Sequence, residues 1–212
     1  REHAEDFLAK VAGRCARAAA EMDRPPLLVA PFDAELFGHW WFEGPAWLEA
    51  VIRGAARDGV IGLATPSDDL ARHPLLQCAQ PAESSWGGGG AHETWLNPAT
   101  AGIWPELLDA GRRMAALARD FPDARATAVQ RRAVRQAARH LLLAQASDWP
   151  FMIANRRTPE FALKTLRDQL ARFGYIQRRM RAGRPDARRL RALEALDPPF
   201  PELDPAPFAV EG

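Results

Sequence analysis

Leu27-Leu-Val-Ala-Pro-Phe-Asp-Ala-Glu-Leu-Phe-Gly-His-Trp-Trp-Phe-Glu-Gly-Pro45 changes character twice within a short span. Leu27 to Ala30 is a continuous apolar run, the pattern of a strand buried on both faces. Pro31 removes a ladder donor and ends it, and a helical pattern begins soon after Asp33. Gly44 and Pro45 open a further helix running to about Arg57, with proline in the first turn and Asp58-Gly59 as its stop. Val60 to Ala64 is a second short apolar run, followed by Thr65-Pro66-Ser67 and a short capped helix from Asp68. Strand, helix and strand in that order predict a βαβ unit, which needs more strands to complete a sheet.

Outward from this stretch the chain is helical. On the N-terminal side, Phe7, Leu8, Val11, Cys15 and Ala18 recur at spacings of three and four, predicting a helix over 3–22 that Arg24-Pro25-Pro26 stops. On the other side, residues 75–100 are rich in Gly, Ser, Pro and Asn, with Trp86 and Trp95 embedded. An aperiodic stretch of that length is functional or disordered, and the tryptophans favour function. Helical patterns then cover 101–120, 124–146, 158–182 and 185–195, the third opened by Thr158 as cap and Pro159 in the first turn. The tail from Asp197 holds five prolines before Ala209 and is expected to be extended or disordered. The fold expected is mainly α with a short βαβ remnant. It divides into 1–74, a Trp/Gly-rich loop at 75–100, a helical domain at 101–196 and a Pro-rich tail at 197–212.

Composition narrows the function. The 212 residues are 47% hydrophobic and 26% charged, which is ordinary for a folded domain. With 28 basic against 27 acidic residues the formal charge is +1, so no bulk attraction draws the chain to nucleic acid or an anionic membrane. No apolar run reaches the roughly 18 residues of a membrane span. Arg1 to Asp6 are mostly polar where a secretory leader needs an apolar core, so a cytoplasmic protein is expected. The abrupt start reads as a chain cut from something longer. Cys15 and Cys78 are too few for a disulfide scaffold, and none of the five histidines has companions at metal-ligand spacing. No metal site and no cofactor are expected. The composition is unusual in one respect: seven Trp stand against one Tyr, and they cluster.

Asp33 sits where a buried parallel strand ends, the place at which α/β folds display catalytic side chains. Glu35, His39, Trp40 and Trp41 surround it in sequence. An acid beside aromatic rings suits sugar chemistry, because pyranoses stack on indoles while carboxylates handle the glycosidic oxygen. Apolar surroundings also raise a carboxyl pKa, as a general acid needs. The plainer readings are that Asp33 caps the following helix and that Trp40 and Trp41 are core.

The run from Phe32 to Pro45 resembles the fourth conserved region of glycoside hydrolase family 57, specifically its 1,4-α-glucan branching enzymes. Two further segments are similar to the same enzymes. Ser84-Ser-Trp-Gly-Gly-Gly-Gly-Ala-His-Glu-Thr-Trp-Leu-Asn-Pro98 resembles their Ser-Ser-Trp-Gly loop. Gln136-Ala-Ala-Arg-His-Leu-Leu-Leu-Ala-Gln-Ala-Ser-Asp-Trp-Pro150 resembles the helix that closes their active site. The resemblance implies the end of an incomplete (β/α)7 barrel followed by an α-helical bundle, acting on an α-1,4-glucan. It implies that Asp33 is the general acid/base, that Trp86 binds glucan, that Trp95 shapes the acceptor side, and that Asp148 hydrogen-bonds sugar hydroxyls. His39 and Trp40 match motif positions beside the acid and take a supporting role. The Trp86 loop is the feature suited to holding an acceptor and excluding water.

Several residues carry structural expectations instead. Trp149 and Trp104 are expected to pack the bundle, His140 to be structural, and Arg125, Arg131, Arg132, Arg135 and Arg139 to form a solvated stripe. The unbroken run Gly87 to Gly90 departs from the family pattern and is expected to loosen the loop. At Asp168 and Gln169 the family has a histidine, so the resemblance assigns no role there. A retaining mechanism needs a second carboxylate about 5–5.5 Å from the first. The family takes it from a strand upstream of the Asp33 segment, and neither Glu35 nor Glu43 can reach the opposite sugar face. The chain is therefore expected to be a C-terminal fragment needing the N-terminal barrel half as partner, and inactive alone. The alternatives are a family 57 hydrolase or 4-α-glucanotransferase, or a non-catalytic glucan-binding or interaction domain.

Overall fold

A computed structural model describes residues 1–74 and 78–209 as two compact units, Arg1–Gln80 and Pro81–Gly212. The expected boundary at residue 75 and the end of the expected tail lie outside the described residues.

In the first unit, α1 (Glu2–Ala19) packs on α2 (Gly44–Asp58), and α3 (Pro66–Arg72) follows. The sequence signals for these helices are local, and they hold. Gly59 ends α2 in the left-handed conformation at φ 64°. Thr65 and Asp68 close a reciprocal capping box on α3, with the Thr65 amide donating to Asp68 Oδ2 at 2.9 Å.

The two expected strands do not pair. Leu27–Ala30 and Val60–Ala64 run as irregular chain, and no strand ladder exists among the described residues. Two parallel strands linked by one crossover are marginal without flanking strands, and the described residues supply none. Val29 stays 64% exposed and Val60 75% exposed as a result. Both segments line one groove of about 730 Å3 with Phe7, Leu8, Val11 and Cys15 of α1. The mainly α part of the expected fold is present, whereas the βαβ remnant is not formed as a sheet.

The second unit is helical: α4 (Ile103–Asp120), α5 (Ala128–Ala144), α6 (Asp148–Ala154), α7 (Pro159–Arg181) and α8 (Ala187–Leu196). Two apolar clusters hold it. Met114, Leu117, Val134, Leu141, Phe173 and Met180 centre the first, between α4, α5 and α7; Ile103, Leu107, Ile153 and Leu166 centre the second. Trp104 and Trp149 pack against the second cluster, as expected of them. The Pro-rich tail corrects the expectation of an extended segment. It forms a 3-10 turn at Ala206–Ala209, and Leu203 and Phe208 pack on the first cluster. Prolines oppose a continuous α-helix there, yet they leave the apolar side chains between them free to be buried.

The buried face of α5 carries polar groups that meet this tail. His140 is fully buried, with Nδ1 2.7 Å from Gln169 Oε1 and Nε2 3.0 Å from the Gln136 amide nitrogen. The Gln136 amide donates to Nε2, which leaves the proton on Nδ1 and the ring neutral. Gln169 in turn donates to Asp197 Oδ1 at 3.3 Å, and Arg172 donates to Asp197 Oδ2 at 2.8 Å. Arg139 donates to the Phe200 carbonyl at 3.0 Å. Gln169, left without a role by the resemblance, thus joins α7 to α5 and to the tail.

Burial is the leading influence on His140 and holds its pKa below the ordinary histidine value, together with the Arg172 and Arg139 charges; the Gln169 bond and Asp197 act against it. The sign of the pH dependence follows. The neutral ring supports the fold fully above about 6.5, the ordinary imidazole pKa. Below that, the unfolded chain takes up a proton that the folded chain does not, and stability falls until the folded-state pKa is passed. Thermal unfolding between neutral pH and about pH 5 is expected to show this decline, and His140→Gln to flatten it. An equal slope in the variant would remove His140 as the cause.

Candidate active site

Asp33, His39 and Trp40 belong to the first unit, and Trp86, Trp95 and Asp148 to the second. Each group is built by its own local geometry.

Asp33 has extended backbone, and the chain then makes one 3-10 turn, Ala34–Leu36, where a longer helical pattern was expected. The Asp33 side chain makes no capping bond to that turn. Its carboxylate is exposed, and the aromatic neighbours do not enclose it. The capping role proposed as a plainer reading is therefore absent, and so is the apolar enclosure.

The tandem tryptophans after Asp33 part company. Trp41 turns inward and joins Phe7, Phe32, Phe37 and Trp47, with its ring 5.2 Å from Trp47. Phe37 stacks on Trp47 at 6.2 Å and 11°. Trp47 is the hub of this cluster, and the sequence reading passed over it. Trp40 turns outward, 72% exposed, and donates from Nε1 to Glu35 Oε1 at 3.1 Å. The His39 ring meets the Trp40 ring edge-on at 5.2 Å. The core reading holds for Trp41 and fails for Trp40. Gly44 lets the loop close: a Cβ there would lie 3.0 Å from Phe37 Cδ1, 3.1 Å from Phe37 Cα and 3.2 Å from Trp41 Cε3. The spacing from Phe37 to Gly44 is thus a packing requirement that presents Glu35, His39 and Trp40 on the outside.

In the second unit, the loop holding Trp86 is built from turns. Gly87, Gly88 and Gly90 take positive φ of 80°, 57° and 82°, and the Ser85 amide donates to the Gly90 carbonyl at 2.8 Å. A Cβ at Gly87 would lie 2.6 Å from Thr94 Oγ1. The glycine run, expected to loosen the loop, supplies conformations that other residues adopt only under strain. Asn97 donates to the Glu93 carbonyl at 2.9 Å and accepts from the Ala99 amide at 3.0 Å. The Trp95 carbonyl accepts from Thr100 Oγ1 at 2.8 Å and from Trp104 Nε1 at 3.0 Å. Trp95 Nε1 donates to the Trp86 carbonyl at 3.2 Å.

Asp148 begins α6 and is exposed. The next residue, Trp149, donates from Nε1 to the Leu143 carbonyl at 2.7 Å, which pins α6 to the end of α5. Among the described residues no group of three or more His, Cys, Asp or Glu could hold a metal ion, and no helix is long and apolar enough to cross a membrane.

The second unit matches a known domain. Residues 106–208 fit the family model of the 1,4-alpha-glucan branching enzyme C-terminal domain. Across nearly the whole chain, 99% of it, the sequence is 32% identical to a 1,4-alpha-glucan branching enzyme of Thermococcus kodakarensis. The crystal structure of a GH57 branching enzyme from that archaeon covers all of this chain with a TM-score of 0.74 at 31% identity. The chain is similar to the enzymes of glycoside hydrolase family 57. Its match is to the C-terminal portion of the branching enzymes of that family. The crystal structure of the alpha-amylase AmyC from Thermotoga maritima also covers all of this chain, at 33% identity and a TM-score of 0.68. The chain spans 31% of the length of the Thermococcus relative, 39% of its crystallised chain and 39% of the AmyC chain.

Proposed function

We propose that this chain belongs to glycoside hydrolase family 57 and serves a retaining α-glucan branching reaction, with Asp33 as general acid/base and the nucleophilic glutamate supplied from outside these 212 residues. In the first half-reaction Asp33 protonates the leaving glycosidic oxygen while the glutamate attacks the anomeric carbon, giving a glycosyl-enzyme. In the second, the Asp33 carboxylate takes the proton of an incoming sugar 6-hydroxyl, and the α-1,6 link forms as the glycosyl-enzyme breaks. Trp86 and Trp95 offer indole faces to pyranose rings, Asp148 accepts from sugar hydroxyls, and His39 and Trp40 support Asp33.

The observation that carries this reading is the chain-long match to branching enzymes. The free, uncapped carboxylate of Asp33 supports the acid/base role. The likeness to an alpha-amylase favours a second reading, hydrolysis of the same α-1,4 links with the same acid/base. Counting products separates the two. In the enzyme carrying this chain, new α-1,6 links are expected to appear on amylose without a matching rise in reducing ends. Reducing ends that rise without branch points would establish the hydrolase instead.

A further inference from the structure

Helix α6 carries Asp148 and Phe151 three residues apart, a spacing that puts both on one helix face. Its other large side chains have visible work beneath: Ile153 belongs to the second apolar cluster, and Trp149 and Met152 pack against it. Phe151 is in neither cluster and meets the tryptophan loop. Its ring centroid lies 5.7 Å from Trp86 and 6.5 Å from Trp95, and the two indoles are 6.1 Å apart. Each ring thus touches the other two, at angles of 53°, 41° and 47°.

The three are held unequally. Trp95 is tied at its indole nitrogen and at its carbonyl. Phe151 is carried on a helix anchored through Trp149 and Ile153. Trp86 is 64% exposed, and its indole makes no hydrogen bond among the described residues. An exposed indole on a turn is free to change rotamer unless neighbouring rings restrict it. Aromatic pairs at these separations and tilts are attractive beyond their area burial.

We propose that Phe151 is a positioning residue for glucan binding, setting the tilt of the Trp86 indole beside the helix face that carries Asp148. It rests on the reading of Trp86 as a sugar-stacking residue. A pyranose on an indole fixes its hydroxyl directions by the tilt of that indole. A carboxylate on the same helix as the supporting ring therefore stays in register with the stacked sugar, because one rigid turn of α6 sets both.

The test uses the enzyme carrying this chain, labelled with fluorotryptophan, with the Trp86 fluorine resonance assigned through Trp86→Phe. Phe151→Ala and Phe151→Leu are expected to shift that resonance toward a solvent-exposed position, since both remove the ring current, while Leu preserves apolar volume. Both are expected to weaken maltoheptaose binding roughly fivefold, the contribution of the Phe151–Trp86 pair that orients the indole. Phe151→Tyr restores the parental resonance and affinity. An unmoved resonance in Phe151→Leu, or a shifted resonance with parental affinity, overturns the proposal. Trp86→Ala reports on the reading underneath: parental affinity there overturns both, whereas weakened binding in Trp86→Ala with parental binding in Phe151→Leu overturns the role of Phe151 alone.

Discussion

Asp33→Asn in the enzyme carrying this chain is expected to slow formation of α-1,6 links by about 10²–10⁴-fold, the usual contribution of a general acid/base. The asparagine preserves shape and polarity but can neither give a proton to the leaving oxygen nor take one from the acceptor hydroxyl. Because Asp33 is exposed and caps nothing, the substitution is expected to leave thermal unfolding unchanged. An α-glucosyl fluoride separates acid catalysis from binding, since fluoride departs without strong protonation. The first half-reaction of Asp33→Asn is expected to recover on that substrate while the second stays slow. Parental branching by Asp33→Asn would dismiss the acid/base role and favour the alternative of a non-catalytic glucan-binding domain.

The 212-residue polypeptide by itself is expected to make no α-1,6 links, and joining it to the family's Glu-bearing barrel half is expected to restore them. Chemistry supplies one reason. The retaining mechanism needs a second carboxyl group about 5–5.5 Å from the first and on the other side of the anomeric carbon. Glu35, the acid nearest to Asp33 in sequence, is turned to Trp40 Nε1. Packing supplies the other reason. Leu27, Leu28, Val29, Val60 and Leu63 are exposed around an open groove, and unpaired apolar chain of that kind invites association. The isolated polypeptide is accordingly expected to self-associate in sedimentation velocity, and the joined enzyme to run as a defined species. Branching by purified 212-residue polypeptide would remove the need for an outside nucleophile.

Helices were legible here because their signals are local. Pro45 and Gly59 bracket α2, and Thr65 with Asp68 starts α3, all within a few residues of the elements they delimit. A strand depends on a neighbour that sequence does not display, so Leu27–Ala30 and Val60–Ala64 read as strands and stand unpaired. Helix α6 escaped notice because seven residues containing Pro150 show no helical period. The motif residues of the candidate site were visible, yet their orientation was not. Trp40 and Trp41 are equivalent as letters, and only the close approach of Phe37 to Gly44 decides which turns out. Phe151 lay unremarked beside the Asp148 motif because its partners, Trp86 and Trp95, are far away in sequence.

The tail holds the bundle from the far end of the chain. Asp197 binds Gln169 and Arg172, the Phe200 carbonyl receives buried Arg139, and Phe208 rests on the first apolar cluster. These residues follow every helix they stabilise. During synthesis, α4 to α8 emerge from the ribosome before the groups that satisfy their buried arginine exist outside the tunnel. The helical unit therefore finishes folding only after translation has passed Phe208, and a ribosome stalled before that point carries a bundle open to chaperones and proteases.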